Sequence, residues 1–161
     1  MKSPEVPSVV AFDAYDTLAI WRPEAESLAV EHGYTLAEVL AGSADLALAT
    51  DHGEITYAQY GALMEQRWGF TGYVERIAQG FAAIEAMHQL AQDFYEAGSM
   101  LVIASNVGSG ALELTFEQAA LPDRQIFHHV FESCNIGHAK PHPEFFAHLL
   151  SETGIEPAAH L

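Results

Sequence analysis

Positive charge is what this sequence has least of. Six Lys and Arg stand against 22 Asp and Glu, a formal net charge of −16 at pH 7. Nucleic acids and anionic membranes are bound through basic patches, so neither is an expected partner. The whole set of cations is Lys2, Arg22, Arg67, Arg76, Arg124 and Lys140. An anionic substrate has to be met by one of these or by a bound metal. Cysteine is nearly missing too: Cys134 stands alone, which excludes an intramolecular disulfide and suits a reducing compartment. No apolar run approaches the ~20 residues of a membrane-spanning helix. The start, Met1-Lys2-Ser3-Pro4-Glu5, carries no apolar signal segment, so the expected address is cytoplasmic. Repeats, low-complexity tracts and linkers are also missing.

What is present is a hydrophobic half of the chain, enough across 161 residues for one domain with a sizeable core and a small insertion. The chain is organised around Val9-Val10-Ala11-Phe12-Asp13-Ala14-Tyr15-Asp16-Thr17-Leu18. Four apolar residues running into an aspartate read as a strand over 8–13, buried on both faces as in a parallel sheet. An acidic residue at the end of such a strand lies where open α/β sheets hold their ligands.

Further along, Pro23 opens a short helix that stops at Gly33. Thr35-Leu36-Ala37-Glu38 and Thr56-Tyr57-Ala58-Gln59 have the form of capping boxes. The first predicts a helix to about Ala49, ended by Asp51-His52-Gly53. The second predicts one carrying Tyr60, Leu63, Met64 and Trp68 up to Gly69. No strand signal appears over 22–95, which reads as an all-helical insertion and a connecting helix. That helix, over 82–97, puts Ile84, Met87, Leu90, Ala91 and Phe94 on one face. Met100–Ala104 is a second buried strand, followed by a helix over 110–120, a weaker strand over 126–131 and a last helix from Pro143 to Gly154. Strands alternating with helices argue for an α/β fold, a three-layer parallel sheet with helices on both faces. The core is expected over 1–21 and 96–161, the inserted helices over 22–95.

Three stretches carry chemistry. At the first strand's end, Asp13 suits nucleophilic catalysis: a carboxylate attacks phosphorus or an activated carbon and divides one hard displacement into two easier ones. Thr17 then holds the transferred group or orients Asp13. A simple capped turn reads the same way. Second, Leu101-Val102-Ile103-Ala104-Ser105-Asn106 delivers a hydroxyl at a strand tip, where it and the backbone amides of the next turn can bind phosphate oxygens. Gly108-Ser109-Gly110 follows, but a dinucleotide loop needs Gly or Ala at 113, where Glu113 stands, and no GKS or GKT sequence occurs. Third, Gly137-His138-Ala139-Lys140-Pro141-His142-Pro143 holds a lysine in a stiff loop before a helix. A cation within ~4–6 Å of a carboxylate keeps it ionised and offsets its repulsion from an anionic substrate. His128, His129, Cys134, His138 and His142 match no closed zinc spacing and are expected to face solvent.

In this order, Asp13 with Thr17, Ser105-Asn106 and Lys140-Pro141 resemble motifs one to three of the haloacid dehalogenase-like hydrolase superfamily. The insertion resembles its helical cap, and Gly53-Glu54-Ile55-Thr56 resembles a phrase common in such caps. The resemblance implies Asp13 as nucleophile, Thr17, Ser105 and Lys140 as its catalytic partners, and Tyr15 and Asn106 at the substrate. In magnesium-dependent members the Asp13 carboxylate and the Tyr15 carbonyl are metal ligands. The cap closes over the site and selects the substrate.

Three departures qualify it. Phosphatases of the family carry a second aspartate, as general acid and base, where this chain has Tyr15; tyrosine there is what the 2-haloacid dehalogenases have. Asp16, one residue on, is expected to point elsewhere. Those dehalogenases use a cap arginine and a tyrosine after the lysine, yet here no arginine lies between Arg22 and Arg67, and Phe146 stands at the tyrosine's position. The fourth motif, an acidic pair on the strand beside the first, is expected just after Pro157-Ala158-Ala159-His160-Leu161, where the sequence stops. The chain therefore reads as a truncated form with an open sheet edge. Hydrolysis of small phosphate esters through an aspartyl-phosphate, with magnesium, is the first expectation. A metal-free 2-haloacid dehalogenase acting through an aspartyl ester is the second, and a non-catalytic binding module the third. The expected partner is a small-molecule substrate, and a homodimer is one assembly the sequence admits.

Overall fold

The computed structural model describes residues 6–155; Lys2 and the Pro157–Leu161 stretch, with the fourth motif expected after it, lie outside the described residues. Strand β1 (Val9–Phe12) leads through a turn to the two-residue β2 (Ala19–Ile20). Helices α1 (Arg22–Glu31), α2 (Leu36–Ala41), α3 (Ala44–Asp51), α4 (Tyr57–Trp68) and α5 (Tyr73–Gln79) follow. Then come β3 (Ala82–Ala83), α6 (Glu85–Glu96), β4 (Met100–Ser105) and α7 (Ala111–Glu117). A 3-10 turn (Arg124–Ile126), β5 (His129–Glu132), α8 (Ser133–Ile136) and α9 (Pro143–Thr153) complete the order.

Among the described residues the main sheet runs β1-β4-β5, parallel throughout, with Val9 opposite Met100 and Ser105 opposite Glu132. Side chains alternate along β4. Leu101 and Ile103 enter a core shared with Ala91, Ala111 and Leu112 of α6 and α7. Val102 and Ala104 enter a second core with Phe131 of β5 and Phe145 and Leu149 of α9. Helices thus cover both faces, which makes three layers and explains why β4 is a continuous apolar run rather than an alternating one. Leu101, Val102 and Ile103 are each fully buried, contributing about 1.5–3 kcal/mol apiece.

Both capping boxes form. The Glu38 and Gln59 backbone amides donate to Thr35 and Thr56 Oγ1, each at 3.2 Å. The Glu38 and Gln59 side chains in turn accept from the Thr35 and Thr56 backbone amides, each at 2.8 Å. α4 ends at Gly69 and α9 at Gly154, both left-handed.

Five expectations need correcting. The helix expected to run to Ala49 breaks at Gly42-Ser43 into α2 and α3. Trp68 causes this: its ring lies 2.5 Å from where a Gly42 Cβ would be, its Nε1 donates to Ser43 Oγ at 2.7 Å, and Arg67 caps the Gly42 carbonyl at 2.8 Å. The segment read as free of strand contains β3, which pairs antiparallel with β2 and delays α6 to Glu85; the Ile84 amide donates to the Leu18 carbonyl. The third strand starts at His129 rather than 126, because Asp123 accepts from Gln125 N (2.9 Å) and winds 124–126 into a 3-10 turn. The helix expected over 110–120 spans only Ala111–Glu117, since Ala119 adopts a positive φ of 54°. Finally, β1 is not buried on both faces: Phe12 is buried but Ala11 is exposed, since among the described residues β4 alone pairs with it.

Candidate active site

Because β1, β4 and β5 are parallel, all end on one edge, and the residues that follow them meet there. Asp13 comes directly after β1, Ser105 closes β4 and Asn106 follows it. Lys140 arrives from the loop before α9 and its ammonium contacts an Asp13 carboxylate oxygen at 2.9 Å. It also donates to the Ala104 carbonyl at 2.7 Å. The other Asp13 oxygen accepts from the Ala14 amide at 2.8 Å. The Asp13 side chain stays 46% exposed while Lys140 is 21% exposed, so the carboxylate opens to the outside and the cation behind it does not.

Asn106 fixes that lysine. Its Nδ2 donates to the Lys140 carbonyl (2.8 Å) and its Oδ1 accepts from the Lys140 amide (2.7 Å). An amide bonded at both ends to backbone is a positioning group for Lys140. Ser105 is buried at 1% exposure beside it. In the turn beyond, the Val107 amide is already taken by Ser133 Oγ at 3.0 Å, so this one amide is not available for phosphate oxygens. Thr17 lies in the turn between β1 and β2, which is closed by the Leu18 and Ala19 amides donating to the Ala14 carbonyl. Asp16 points away, paired with Arg22 at 2.8 Å.

Tyr15 turns its hydroxyl into α7, sharing a hydrogen bond with Thr115 Oγ1 at 2.8 Å. Burial pushes this phenol up to about 12, beyond use as an acid or base near neutrality. Its ring instead helps line a cavity of about 270 Å³ between the edge of the sheet and the helices of 22–79. Trp21, Tyr57, Tyr60, Tyr73 and Phe81 contribute aromatic surface, and Asn106, Val107 and Gly108 form the sheet side. Among its lining residues Asp51 is the one carboxylate, and no Lys or Arg is present. Burial pushes Asp51 up to about 6 against the pull of His52 and Lys140. The described arginines are engaged elsewhere: Arg22 with Asp16, Arg67 with Asp45, Arg76 with Glu24 and Glu31, and Arg124 with the Phe127 carbonyl.

No protein-family model and no curated protein matches the chain. Solved structures do. A haloacid dehalogenase (HAD) family enzyme from Bacteroides thetaiotaomicron, in complex with magnesium and inorganic phosphate, superposes with a TM-score of 0.75 at 16% identity, over 93% of this chain and 80% of that one. The L-2-haloacid dehalogenase from Xanthobacter autotrophicus, with chloropropionic acid covalently bound, gives 0.66 at 16% identity, over 94% of this chain and 66% of that one. The chain has the HAD-like fold.

In this HAD-like frame a magnesium site can be tested against the donors present. Magnesium takes six oxygens and is usually held by one or two carboxylates. The Asp13 carboxylate and the Tyr15 carbonyl are two oxygen donors, and the first is ion-paired with Lys140. Among the described residues no group of three or more His, Cys, Asp and Glu side chains comes together to hold a metal. The Asp13 carboxylate and the Tyr15 carbonyl would be the protein donors of a magnesium ion here, with water and substrate oxygens filling the other positions. Of the residues expected to face solvent, His128, His138 and His142 are exposed, the last two stacked at 4.9 Å, whereas His129 and Cys134 are half-buried.

Sequence reasoning missed Asp51 and the aromatic wall. Asp51-His52-Gly53 reads as a helix terminator, and Tyr57 and Tyr60 read as core spacing. The cavity exists because α3 and α4 are docked on the turn after β4, a contact between residues over fifty positions apart that no local pattern reports.

Proposed function

We propose that the chain is a hydrolase that cleaves small phosphate esters through a phospho-aspartate on Asp13. One observation carries it: a half-exposed carboxylate on the carboxyl edge of a parallel sheet, paired at 2.9 Å with a lysine that is itself held from behind. Attack by Asp13 forms an acyl phosphate and releases the alcohol; water then cleaves the acyl phosphate and returns the carboxylate. The Lys140 ammonium offsets the charge of the incoming phosphate. Ser105 and Thr17 are assigned to its oxygens, and the helices of 22–95 serve as a cap that chooses the alcohol. A cytoplasmic address goes with this reading. A 2-haloacid dehalogenase takes second rank, favoured by Tyr15 and disfavoured by the lack of a cationic side chain in the cavity wall to grip a carboxylate.

The test is a screen of phosphate esters with magnesium or with chelator, and of 2-chloropropionate, on the chain and on Asp13→Asn. Phosphate release abolished by the substitution is the expected result. Halide release insensitive to chelator would put the dehalogenase first, and silence in both assays would count against an enzyme.

A further inference from the structure

An alcohol is a poor leaving group unless a proton reaches its oxygen as the bond to phosphorus breaks, and a carboxyl group titrating near the working pH delivers one. In the reaction above Asp13 is the nucleophile and cannot also be that donor. The Lys140 ammonium is bonded to Asp13 and to the Ala104 carbonyl. The Tyr15 hydroxyl is turned into α7. Asp51 is the one carboxylate in the wall of the cavity that Tyr15 and Asn106 also line, and Lys140 is near enough to act on its charge.

Its position is held from both sides. One residue before it, the Thr50 methyl packs against Gly108, so tightly that a Cβ on the glycine would collide with it. Two residues after it, Gly53 passes over Cys134, where a Cβ would strike the carbonyl oxygen. The Tyr57 amide donates to the Ser109 carbonyl at 3.2 Å. The contacts of Thr50 and Tyr57 fasten the end of α3 and the start of α4 to the turn that follows β4, the same turn that carries Asn106 beside Lys140, and that of Gly53 fastens the segment between them to α8. The Asp51 carboxylate makes no hydrogen bond or ion pair among the described residues. It faces the cavity alongside Tyr15 and Asn106, as a donor awaiting an external partner does.

Resting on the phosphate-ester reading, we propose that Asp51 is its proton donor and acceptor, and that the substrates are monoesters of neutral alcohols with an aromatic or apolar body. As an Asp13 oxygen bonds to phosphorus, the bond from phosphorus to the ester oxygen breaks. Its electron pair stays on that oxygen, which takes the proton of Asp51 and leaves as the alcohol. Asp51, now a carboxylate, takes a proton from water as the water oxygen attacks phosphorus. The phosphorus–Asp13 bond breaks, inorganic phosphate departs, and both carboxyl groups are back in their starting states. The aromatic wall of Trp21, Tyr57, Tyr60 and Phe81 fits an apolar alcohol. The groups facing Asp51 are His52 on its own segment, Tyr60 of α4 and Lys140 of the core.

The experiment compares 4-nitrophenyl phosphate, whose leaving group needs no proton, with benzyl phosphate, whose leaving group does, on the full chain and on Asp51→Asn. In kcat/KM, which reports the steps up to release of the alcohol, the variant is expected to stay within about threefold for the first ester and to lose about 100-fold or more for the second. Its kcat falls for both, because the water step loses its base. The wild-type decline in benzyl phosphate kcat/KM as pH rises through about 6 should also vanish in the variant. Equal effects on the two kcat/KM values, or none on either, would overturn the role of Asp51 while leaving the Asp13 reading intact. Silence of the wild-type chain on both esters would overturn both. Should Asp51→Asn not fold, Asp51→Ser is read by the same comparison.

Discussion

At Asp51, burial sets a titration that stability measurements can read without any substrate. Its carboxyl moves from an ordinary 3.8 to about 6, chiefly through desolvation. The folded chain therefore holds the proton across a window, roughly pH 4 to 6, in which the unfolded chain has lost it. Stability from this group is fully present below that window and falls as pH rises through it. Asp51→Asn removes the dependence, so the variant's stability relative to wild type should rise between pH 4 and pH 7 in urea melts. Solvent reaching the half-buried carboxyl keeps the gain small. An offset unchanged between the two pH values would contradict the account. The pairing of Asp13 and Lys140 at the sheet edge was legible in sequence where the pattern is local: Asp13 after an apolar run, and Lys140 in a proline-flanked loop. Asn106 was expected at the substrate, beside Ser105. Its grip on Lys140 joins positions 34 apart in sequence, and no periodicity reports such a bond.

Among the elements, α3 shows how tertiary contact overrides local preference. The stretch after the first capping box reads as one helix, and Trp68, wedged at Gly42 and bonded to Ser43, divides it in two. The division leaves α3 free to lay its last turn on the core. Gly53 is a tight part of that junction, with a φ of +75° and the Cys134 carbonyl where a side chain would begin. Gly53→Ala pays for both strain and collision and should cost about 2–4 kcal/mol of stability, read as a lowered denaturant midpoint at unchanged m. A neutral substitution would mean that α3 is not seated on α8. β2 and β3, two residues each, were invisible in sequence because a pair so short has no alternation to detect.

The whole molecule brings together three stretches spread over more than 120 residues, and the parallel sheet is what makes them meet. A three-layer parallel sheet follows from apolar runs alternating with amphipathic helices, which is why that architecture was legible before any contact was known. The cavity was not, since it depends on how two helices dock rather than on what either is made of. The fold alone is compatible with attack on phosphorus or on carbon, and among the residues lining the cavity there is no Lys or Arg to grip a substrate carboxylate. The most direct measurement of the central claim is rapid acid quench of the chain during turnover of a phosphate ester, followed by peptide mapping by mass spectrometry. A phosphoryl group on Asp13, missing in Asp13→Asn, is the predicted result. Phosphate release with no adduct, or with the adduct on another residue, would contradict it.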